Sequence, residues 1–462
     1  MGTLYQSPPA SSIVRDLKVT IQDTSVVFPA KKTEKRFMFL SNIDQVLNFY
    51  VQTVDFFPAN PEFPPDVVAE KLKTALSKVL VSYDFMAGRL KLNQESGRLE
   101  IECNGQGVVY CVASSDYSLD DIGDLVYPNP AFGQLVVQKL DNVEAGDQPL
   151  CTVQLTSFKC GGFAVGISNN HCTFDGLSFK IFLQNLASQA FDDNKPLAIT
   201  PANDRTLLAA RNPPRVTFPH PELLKLKIPI GEEDQNLPVF DCPEEELDLK
   251  IFKLSSDDVN SLREKAKPDP VSTGDNNIKI TSFNVVTSHI WRCKALSFGG
   301  DDPDRLSTVL YAVDIRSRLN PPLPGSYTGN AVLTAYATAT CKELEDGPLS
   351  KVVALVAEGA NRMTDEYARS AIDWGEVYKG FPHGEFLISS WWRLGFSDVV
   401  YPWGKPRYSC PVVHHRKDII LLFPDIDEEK NAVNVLVALP MKEMEKFQTL
   451  FHKLLKEVDH WH

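Results

Sequence analysis

The chain has 462 residues, 43% of them hydrophobic and 23% charged, with a formal net charge of −13 and an isoelectric point near 5.3. This composition is typical of globular proteins, and its acidity argues against a generic nucleic-acid-binding protein. No apolar run approaches the roughly 18 residues of a membrane span, and the start MGTLYQSPPASS lacks an apolar secretory segment. Nine scattered cysteines without a CxxC pair favour reduced thiols, so we expect a cytoplasmic protein.

The first half of the chain alternates strand and helix patterns. A strand is predicted around residues 49–57, and FPPDVVAEKLKTALSKVLVSY has the spacing of an amphipathic helix with Asp66 as its N-cap. Residues 89–168 are strand-like, in the runs RLKL, RLEIEC, GVVYCVA and LVVQKL. The run CTVQLTSFKCGGFAVGISNNH predicts a hairpin that turns at Gly161 and Gly162, and LSFKIFLQNLASQAF predicts a helix after it.

Residues 196–240 interrupt this pattern, because prolines recur and little periodicity remains. We interpret them as a long crossover linker between an N-terminal domain, 1–195, and a C-terminal domain, 241–462. Strand patterns in the second half are LDLKIFKL, STVLYAVDIRSRL and NAVNVLVALP. Helical patterns are SSDDVNSLREKAK, TSFNVVTSHIWRCKAL, LSKVVALVAEGANRMTDEYARSAI and MKEMEKFQTLFHKLL. The predicted fold class is α+β, a mixed α/β chain of two domains.

The stretch NNHCTFDGLS, residues 169–178, lies where a predicted strand ends and a helix begins. Such junctions hold reactive side chains on a rigid scaffold. His171 and Asp175 are four residues apart and would share one face of a helix, but a zinc site needs at least three protein ligands. The adjacent pair His414 and His415 is interpreted as a polar surface turn. The sequence therefore predicts no metal site.

Nucleophilic catalysis has weak support in the same stretch. Cys172 is adjacent to His171, and neighbouring side chains in a strand diverge, so a small buried filler is the favoured interpretation. A serine triad would usually show GxSxG, but the run that contains Gly166 and Ser168 ends in Asn170. His171 is left as a lone general base for an alcohol or amine that attacks an activated carbonyl. A structural histidine is the alternative that the residues alone leave open.

Several segments resemble the BAHD acyl-CoA-dependent acyltransferases of plants, over essentially the whole chain. NHCTFDG matches the HxxxDG motif, and FLSNIDQVL, DFMAGRL, TSFNVVTSHIWRCKA, VDIRSR and GNA resemble further family segments in the same order. The resemblance implies two chloramphenicol-acetyltransferase-like domains with a solvent tunnel between them. Within the family, the chain is most similar to the branch of hydroxycinnamoyl transferases that act on fatty alcohols and ω-hydroxy fatty acids.

One segment departs from the family pattern. The family signature Asp-Phe-Gly-Trp-Gly corresponds here to Val400, Tyr401, Pro402, Trp403 and Gly404. The signature aspartate and its first glycine are therefore replaced, whereas the tryptophan and the final, structural glycine are kept. The replacement puts in doubt any salt bridge that the aspartate would make, but it leaves the expected activity in place.

The resemblance also implies roles for individual residues. His171 would be the general base for direct transfer of an acyl group from a CoA thioester to a hydroxyl, and Trp403 would lie near the tetrahedral intermediate. Asp175 would turn away from the base and pair with Arg316 of the other domain. Gly176 would permit a tight backbone at the start of the helix.

Ligand contacts follow from the same resemblance. Acyl-CoA would be a co-substrate, and no permanently bound cofactor is expected. The partners would be acyl-CoA and a small-molecule alcohol, or less readily an amine, on a monomer that binds no nucleic acid. Candidate contacts are Ser41 and Asp44 on the acceptor side, and Ser282, Arg318, Lys405, Arg407 and the serines and threonines of 272–282 on the CoA side.

Three other functions stay open at this point. The donor could be acetyl-CoA or another aliphatic thioester, with a specialised-metabolite alcohol or amine as acceptor. A cysteine or serine hydrolase is the rival enzyme, and a requirement for CoA separates it from a transferase. A ligand-binding relative without activity, which has lost CoA binding at residues 400–404, is the rival outside enzymology.

Overall fold

The computed structural model describes residues 3–4, 13–191, 195–226, 246–267, 279–298, 302–412, 416–426 and 431–456. The turn predicted at His414 and His415 and the candidate CoA contacts at 272–278 lie outside these residues. The strands are β1 (Thr3–Leu4), β2 (Val19–Val27), β3 (Arg36–Phe39), β4 (Tyr50–Phe57), β5 (Arg89–Leu92), β6 (Leu99–Cys103), β7 (Val108–Ser115), β8 (Cys151–Ser157), β9 (Phe163–Asn170), β10 (Leu223–Lys225), β11 (Asp248–Leu254), β12 (Leu306–Asp314), β13 (Val332–Thr340), β14 (Gly380–Pro382), β15 (Phe386–Ser390), β16 (Tyr408–Pro411), β17 (Ile419–Pro424) and β18 (Val433–Leu439). The helices are α1 (Asn42–Gln45), α2 (Pro65–Val79), α3 (Leu119–Ile122), α4 (Gly176–Phe191), α5 (Ser256–Lys265), α6 (Ser282–Ser297), α7 (Cys341–Asp346), α8 (Leu349–Asn361), α9 (Asp365–Val377) and α10 (Met441–Lys456).

Two large sheets, one in each half of the chain, organise the described residues. The first has the strand order β16-β4-β9-β8-β7-β2, and the second has the order β1-β11-β18-β17-β15-β12-β13. The hairpin predicted at Gly161 and Gly162 is confirmed, because β8 and β9 pair in antiparallel register from Ser157 opposite Phe163. Mixed sheets with helices packed on them confirm the predicted α+β fold class.

The two halves exchange edge strands. β16, from the second half, pairs with β4 of the first sheet in a register that places Ser409 opposite Asp55. β1, from the start of the chain, pairs with β11 of the second sheet. The division into 1–195 and 241–462 stays a prediction, but each of these sheets contains a strand from beyond its own part of the chain.

Helices α2 and α4 cover one face of the first sheet. α2 buries Val68, Leu72 and Leu76 at helical spacing, as its apolar pattern predicts. The prediction of Asp66 as the N-cap is wrong, because Pro64 occupies that position and makes no side-chain cap hydrogen bond. Asp66 lies in the first turn instead, where a carboxylate interacts favourably with the positive end of the helix dipole.

The other face of the first sheet is covered by the segment that contains LVVQKL, and the strand predicted there is wrong. This segment, 135–140, crosses the sheet, and side chains of β8 hold it: Thr152 Oγ1 donates to the carbonyl of Val137. A Cβ at position 166 would lie 2.0 Å from the carbonyl oxygen of Leu135. Gly166 therefore permits a close approach that no other residue would allow.

The core of the second half is formed around α6, which matches the family segment TSFNVVTSHIWRCKA. Trp291 is fully buried, and its Nε1 donates to Ser307 Oγ at 3.0 Å. His289 is also buried, with its ring 4.7 Å from that of Phe451, and burial lowers the pKa of His289 to about 3. This histidine is therefore a neutral core residue and not part of an open site.

The described part of the crossover segment, 195–226, is packed firmly on the second half. Arg211 Nε lies 2.6 Å from Asp373 Oδ2, and Asp373 lies on α9, so this ion pair connects the crossover segment to that helix. Thr217 N donates to Ser370 Oγ at 2.9 Å, one turn earlier on the same helix. The proline-rich composition thus marks a strap with ordered contacts along this part of its length.

Candidate active site

His171 follows directly after the last residue of β9. Its backbone N–H donates to the carbonyl of Phe49 at 2.7 Å, which continues the pairing between β4 and β9 by one residue. The Phe49 ring lies 5.2 Å from the imidazole, between ring centroids, and is 37% exposed. The sheet therefore fixes the main chain of His171, while the imidazole is half-buried beside an open apolar surface.

The surroundings keep His171 neutral. Burial lowers the pKa of His171, and the opposing contributions come from its own backbone carbonyl, then from Asp175, Asn330 and Asp44. Among the described residues, Nδ1 has no hydrogen-bond partner in another residue. A neutral, partly buried imidazole has a lone pair that can accept a proton at neutral pH.

Asp175 does not orient the imidazole. Arg316 Nη2 lies 2.9 Å from Asp175 Oδ2, and the backbone N–H of Ala331 donates to the same oxygen at 2.9 Å. Oδ1 accepts from the backbone N–H of Ser178 at 2.9 Å. Both carboxylate oxygens are thus paired within the protein, and the ion pair expected from the family joins the two halves four residues after His171.

Gly176 has a different role from the one predicted. It begins α4, but it is not among the glycines with positive φ, so the backbone does not require glycine. A Cβ at this position would lie 2.6 Å from Leu394 Cδ1. Gly176 therefore provides space for Leu394, which packs against the same hydrophobic core.

Arg205, in the crossover segment, is a site residue that the sequence analysis missed. Its guanidinium is fully buried and donates to the carbonyls of Cys172, at 3.3 Å, and Thr173, at 2.7 Å. Nη1 also lies 3.4 Å from Asp44 Oδ1, and the guanidinium lies 5.2 Å from the centroid of the Phe85 ring. Arg205 therefore supports the turn between His171 and Asp175 through hydrogen bonds to the carbonyls of that turn. Its segment, DRTLL, was the signal available in the sequence.

Ser41 and Asp44 are not exposed to an acceptor, so their predicted place on the acceptor side is corrected. Both are fully buried, and they form a reciprocal capping box at the start of α1. Asp44 Oδ1 accepts from Asn330 Nδ2 at 2.8 Å, and Asn330 Nδ2 also donates to the carbonyl of His171 at 2.8 Å. These residues support the main chain of His171 from within the protein.

The two alternative nucleophiles lack a suitable environment. Cys172 is fully buried, and burial raises the pKa of its thiol, so the reactive thiolate is disfavoured. Ser168 is fully buried in β9, and its Oγ has no partner within the described part of the chain, so no base contacts it there. The geometry thus removes support from the cysteine and serine hydrolase alternatives.

The prediction that Trp403 lies near the reacting carbonyl is wrong. Its ring packs at the start of β9, with its centroid 6.4 Å from that of Phe163. At about 3.3 Å per strand residue, Phe163 and His171 are about 26 Å apart along the chain. A hydrogen bond reaches only about 3 Å, so Trp403 cannot donate to an intermediate at His171.

The altered signature forms a tight turn that anchors this remote end of the sheet. Tyr401 N donates to Gly404 O at 3.1 Å, and Gly404 N donates to Tyr401 O at 3.0 Å. Gly404 has a φ of +117°, which favours glycine, and the rings of Tyr401 and Trp403 stack at 5.1 Å between centroids. Val400 is 51% exposed, so position 400 faces solvent in this chain. The segment therefore has a structural role.

The predicted CoA contacts lie in different environments. Arg318 Nη1 donates to the carbonyls of Ala360, at 2.7 Å, and Met363, at 3.2 Å, so Arg318 caps the C-terminal end of α8, and its contact with CoA stays a prediction. Ser282 begins α6 and is buried, whereas Lys405 and Arg407 are exposed next to the turn. For these three residues, contact with CoA stays a prediction.

Among the described residues, no group of three or more histidine, cysteine, aspartate or glutamate side chains is arranged to hold a metal ion. No described helix combines the length and the apolar character needed to cross a membrane.

The fold and the site define a class of protein: a two-domain transferase with a histidine of an HxxxD motif at the junction of its halves. The chain belongs to the transferase family, whose sequence profile matches residues 17–454. This is the family of BAHD acyltransferases, and the protein is an acyl-CoA-dependent acyltransferase of that type.

Known proteins of similar sequence and structure agree with this assignment. The chain is 58% identical to acyltransferase GLAUCE of Arabidopsis thaliana over 462 residues, 98% of this chain and 100% of that protein. It is 35% identical to omega-hydroxypalmitate O-feruloyl transferase of the same plant over 438 residues, 94% and 93% of the two chains. Fatty alcohol:caffeoyl-CoA acyltransferase, also from A. thaliana, is 34% identical over 440 residues, 94% and 98%.

Solved structures support the same fold. Vinorine synthase has a TM-score of 0.69 at 22% identity, over 93% of this chain and 96% of that one. TRI101 of F. graminearum, in complex with coenzyme A and T-2 mycotoxin, has a TM-score of 0.72 at 14% identity, over 90% and 97%. At these identities the comparison shows the fold, which is the predicted two-domain arrangement.

Proposed function

We propose that the protein transfers a hydroxycinnamoyl group from a CoA thioester directly to an acceptor hydroxyl, with His171 as the general base. The observation that carries the proposal is the state of His171, which is neutral, partly buried and held by its main chain at the junction of the two halves. In the proposal, acyl-CoA and a small-molecule alcohol are the two substrates of a cytoplasmic monomer.

The proton transfers follow from the lone pair on the imidazole. His171 accepts the proton of the acceptor hydroxyl as its oxygen attacks the thioester carbonyl, which forms a C–O bond and places negative charge on the carbonyl oxygen. The tetrahedral intermediate then collapses, the C–S bond breaks, and the imidazolium returns the proton to the departing thiolate. No nucleophile of the protein is used, in agreement with the buried Cys172 and Ser168.

The donor and acceptor classes are proposed from the relatives and from one surface feature. The relatives include a feruloyl transferase of omega-hydroxypalmitate and a caffeoyl transferase of fatty alcohols, which suggests an aromatic acyl group and a long-chain hydroxyl. The exposed Phe49 ring beside the imidazole would offer an apolar surface to either group.

The pKa of His171 sets the expected pH dependence. Because burial lowers the pKa of His171 below its ordinary 6.5, the base stays neutral to lower pH than an exposed histidine would. We expect the acid limb of kcat/KM to lie below pH 6.5, with activity falling as His171 becomes protonated.

The test is a matrix of purified protein with feruloyl-, caffeoyl-, acetyl-, malonyl- and palmitoyl-CoA against long-chain alcohols, ω-hydroxy fatty acids and amines. Release of the CoA thiol and formation of an ester are measured together. We expect the highest kcat/KM with a hydroxycinnamoyl donor and an alcohol. Higher kcat/KM with acetyl-CoA contradicts the proposed donor class. CoA binding by calorimetry without turnover of any pair supports the ligand-binding alternative.

A second measurement tests direct transfer. The protein is incubated with donor alone, and its intact mass and its peptides are measured. We expect no acyl adduct, because neither Cys172 nor Ser168 has a suitable environment for a nucleophile. A stoichiometric adduct on either residue, formed and then lost on addition of the acceptor, contradicts the mechanism.

A further inference from the structure

Asn330 reaches across the junction between the halves of the chain to the main chain of His171. It is buried, and it lies just before β13. Its Nδ2 donates two hydrogen bonds of 2.8 Å, one to the carbonyl of His171 and one to Asp44 Oδ1. Its backbone N–H donates to the same Asp44 oxygen at 3.1 Å. The buried Asp44 carboxylate therefore holds both the backbone N–H and the side-chain amide of Asn330, and the same amide contacts the main chain of His171.

The carboxylate of Asp44 is itself fixed on both sides. Oδ2 accepts from the backbone N–H and the hydroxyl of Ser41, at 3.0 and 2.8 Å. Oδ1 lies 3.4 Å from Arg205 Nη1 in addition to its two contacts with Asn330. An amide anchored in this way has little freedom to follow movements of the residue that it contacts.

The carbonyl of His171 also affects the imidazole. The main chain of His171 is held at its N–H by the carbonyl of Phe49 and at its C=O by Asn330. That same carbonyl is the first group that opposes the effect of burial on the pKa of His171. A proton on Nδ1 that is directed at this carbonyl leaves the lone pair on Nε2, the nitrogen that can then serve as the base.

We propose that Asn330 is a positioning residue for the transfer reaction: through the His171 carbonyl it fixes the orientation of the imidazole and the tautomer with its proton on Nδ1. The inference rests on the proposed role of His171 as the base. The neighbouring Ala331 holds the other end of the motif, since its N–H donates to Asp175. The loop 329–331 of the second half thus sets both the base and its structural aspartate.

The main test is Asn330→Ala, with Asn185→Ala as a matched control. Asn185 is also fully buried, and its Nδ2 also makes two bonds of 2.8 Å, to the Tyr83 hydroxyl and the carbonyl of Ile199, but it lies two turns into α4. We expect Asn330→Ala to lower kcat by about 10- to 100-fold with little change in KM, because small misplacements of a base are costly. We expect Asn185→Ala to keep kcat.

The pH profile separates positioning from a general loss of structure. Asn330, Asp175 and Asp44 all raise the pKa of His171, and the two carboxylates remain in the variant, with Arg316 beside Asp175 and Arg205 beside Asp44. Asn330→Ala should therefore move the acid limb of kcat/KM to lower pH while kcat falls. If Asn330→Ala and Asn185→Ala give the same kcat and the same acid limb, the positioning role is overturned.

The tautomer provides a readout that does not depend on turnover. In protein labelled with ¹⁵N-histidine, the His171 ring signals are assigned by their absence in His171→Ala. We expect Nδ1 to carry the proton in the native protein and in Asn185→Ala, and a mixture of tautomers in Asn330→Ala. A native Nε2–H tautomer overturns the inference. Absence of turnover with every thioester would refute the proposed function instead, and this measurement would still decide the role of Asn330.

A variant that does not fold leaves the question decidable. Asn330→Ser loses both hydrogen bonds that the amide donates, but it removes less side-chain volume than Asn330→Ala. Its kcat and KM, its acid limb and its tautomer are measured, with the same expected results. A native kcat, acid limb and tautomer in Asn330→Ser overturn the inference, because a serine hydroxyl is too short to span from Asp44 to the His171 carbonyl.

Discussion

Two histidines of this protein lie in polar clusters of similar composition but opposite character. His220, in the crossover segment, has Nδ1 2.9 Å from Glu222 Oε1 and Nε2 2.8 Å from Ser370 Oγ. This is the connectivity of a serine, histidine and acid triad. His171 has neither contact, since the carboxylate of its own motif pairs with Arg316.

Access and hydrogen-bond capacity explain why the triad-like cluster is structural. His220, Glu222 and Ser370 are all buried, and Ser370 Oγ also receives the backbone N–H groups of Thr217 and Phe218, at 2.9 and 3.2 Å. With every polar atom of the serine in use, no substrate carbonyl could approach it. The comparison indicates that an available lone pair on a partly exposed ring, and not the pattern of a triad, favours His171 as the proposed base.

The largest expected effect breaks the comparison at His171. His171→Ala removes the proposed general base, and we expect kcat to fall by about 10³-fold or more, within the range typical of such catalysis. Because the imidazole is only partly buried and its Nδ1 has no hydrogen-bond partner among the described residues, the unfolding midpoint should change little. Near-native kcat in a folded His171→Ala protein, checked by circular dichroism, would refute the assignment.

The next effect is the loss of the ion pair between Asp175 and Arg316. Asp175→Ala leaves Arg316 buried without that carboxylate, and breaking a buried pair typically costs about 3–5 kcal/mol. We expect a large fall in the urea midpoint of unfolding. The control is Lys342→Ala, which removes the solvent-exposed pair with Asp346, and there we expect the urea midpoint to stay close to that of the native protein. Equal midpoints for the two variants would contradict a structural role for Asp175.

His220→Ala sharpens the comparison from the other side. It leaves the Glu222 carboxylate and the Ser370 hydroxyl without their ring partner, which we expect to cost about 2–4 kcal/mol of unfolding free energy. The activity of the folded fraction should stay native, because the cluster joins the crossover segment to α9 and does not contact His171. Loss of kcat in a stably folded His220→Ala protein would show that the cluster takes part in catalysis.

The sequence was informative where the site is local. The HxxxD motif, its place between β9 and α4, and the pairing of Asp175 with Arg316 were all accessible from a short pattern and a family resemblance. Asn330 was not assigned a role, since it lies 159 positions from His171 and no spacing rule links the two. Its segment GNA was visible as a family match, but only the fold shows which carbonyl the amide contacts.

Errors in the sequence analysis arose where long-range packing decides the outcome. A sequence motif contains no information on distances, so the family signature suggested a place for Trp403 near the intermediate. In the fold, the length of β9 separates Trp403 from His171. The run LVVQKL is as apolar as a strand, and periodicity cannot distinguish a strand from a segment that covers a sheet. The exchange of β16 depends on pairing with β4, more than 350 residues earlier.

The smallest expected effect concerns a third buried carboxylate, which extends the comparison to acids. Asp175 has Arg316 as its partner, and Glu222 has His220 and the Tyr367 hydroxyl. Asp55, by contrast, accepts a hydrogen bond from the Ser409 hydroxyl, close to the turn that contains Tyr401. Burial raises the pKa of Asp55 from 3.8 to about 7, although the Ser409 bond acts in the opposite direction.

The folded protein therefore binds the Asp55 proton more tightly than the unfolded chain does. The contribution of this group to the free energy of unfolding is therefore fully present below about pH 4. It is lost as the pH rises from about 4 towards 7, and it stays lost above pH 7. Asp55→Asn keeps an acceptor for Ser409 and removes the charge, so we expect it to stabilise the protein by about 2 kcal/mol at pH 8, below the limit of about 4 kcal/mol set by three pKa units, and by little at pH 4. Asp175→Asn, which loses a charge that has a cation as its partner, should destabilise the protein at pH 8. Urea unfolding of both variants at pH 4 and pH 8 gives the sign of each change in the free energy of unfolding. A destabilised Asp55→Asn protein at pH 8 would contradict the prediction, because it would show that the ionised Asp55 carboxylate has a stabilising partner in the folded protein.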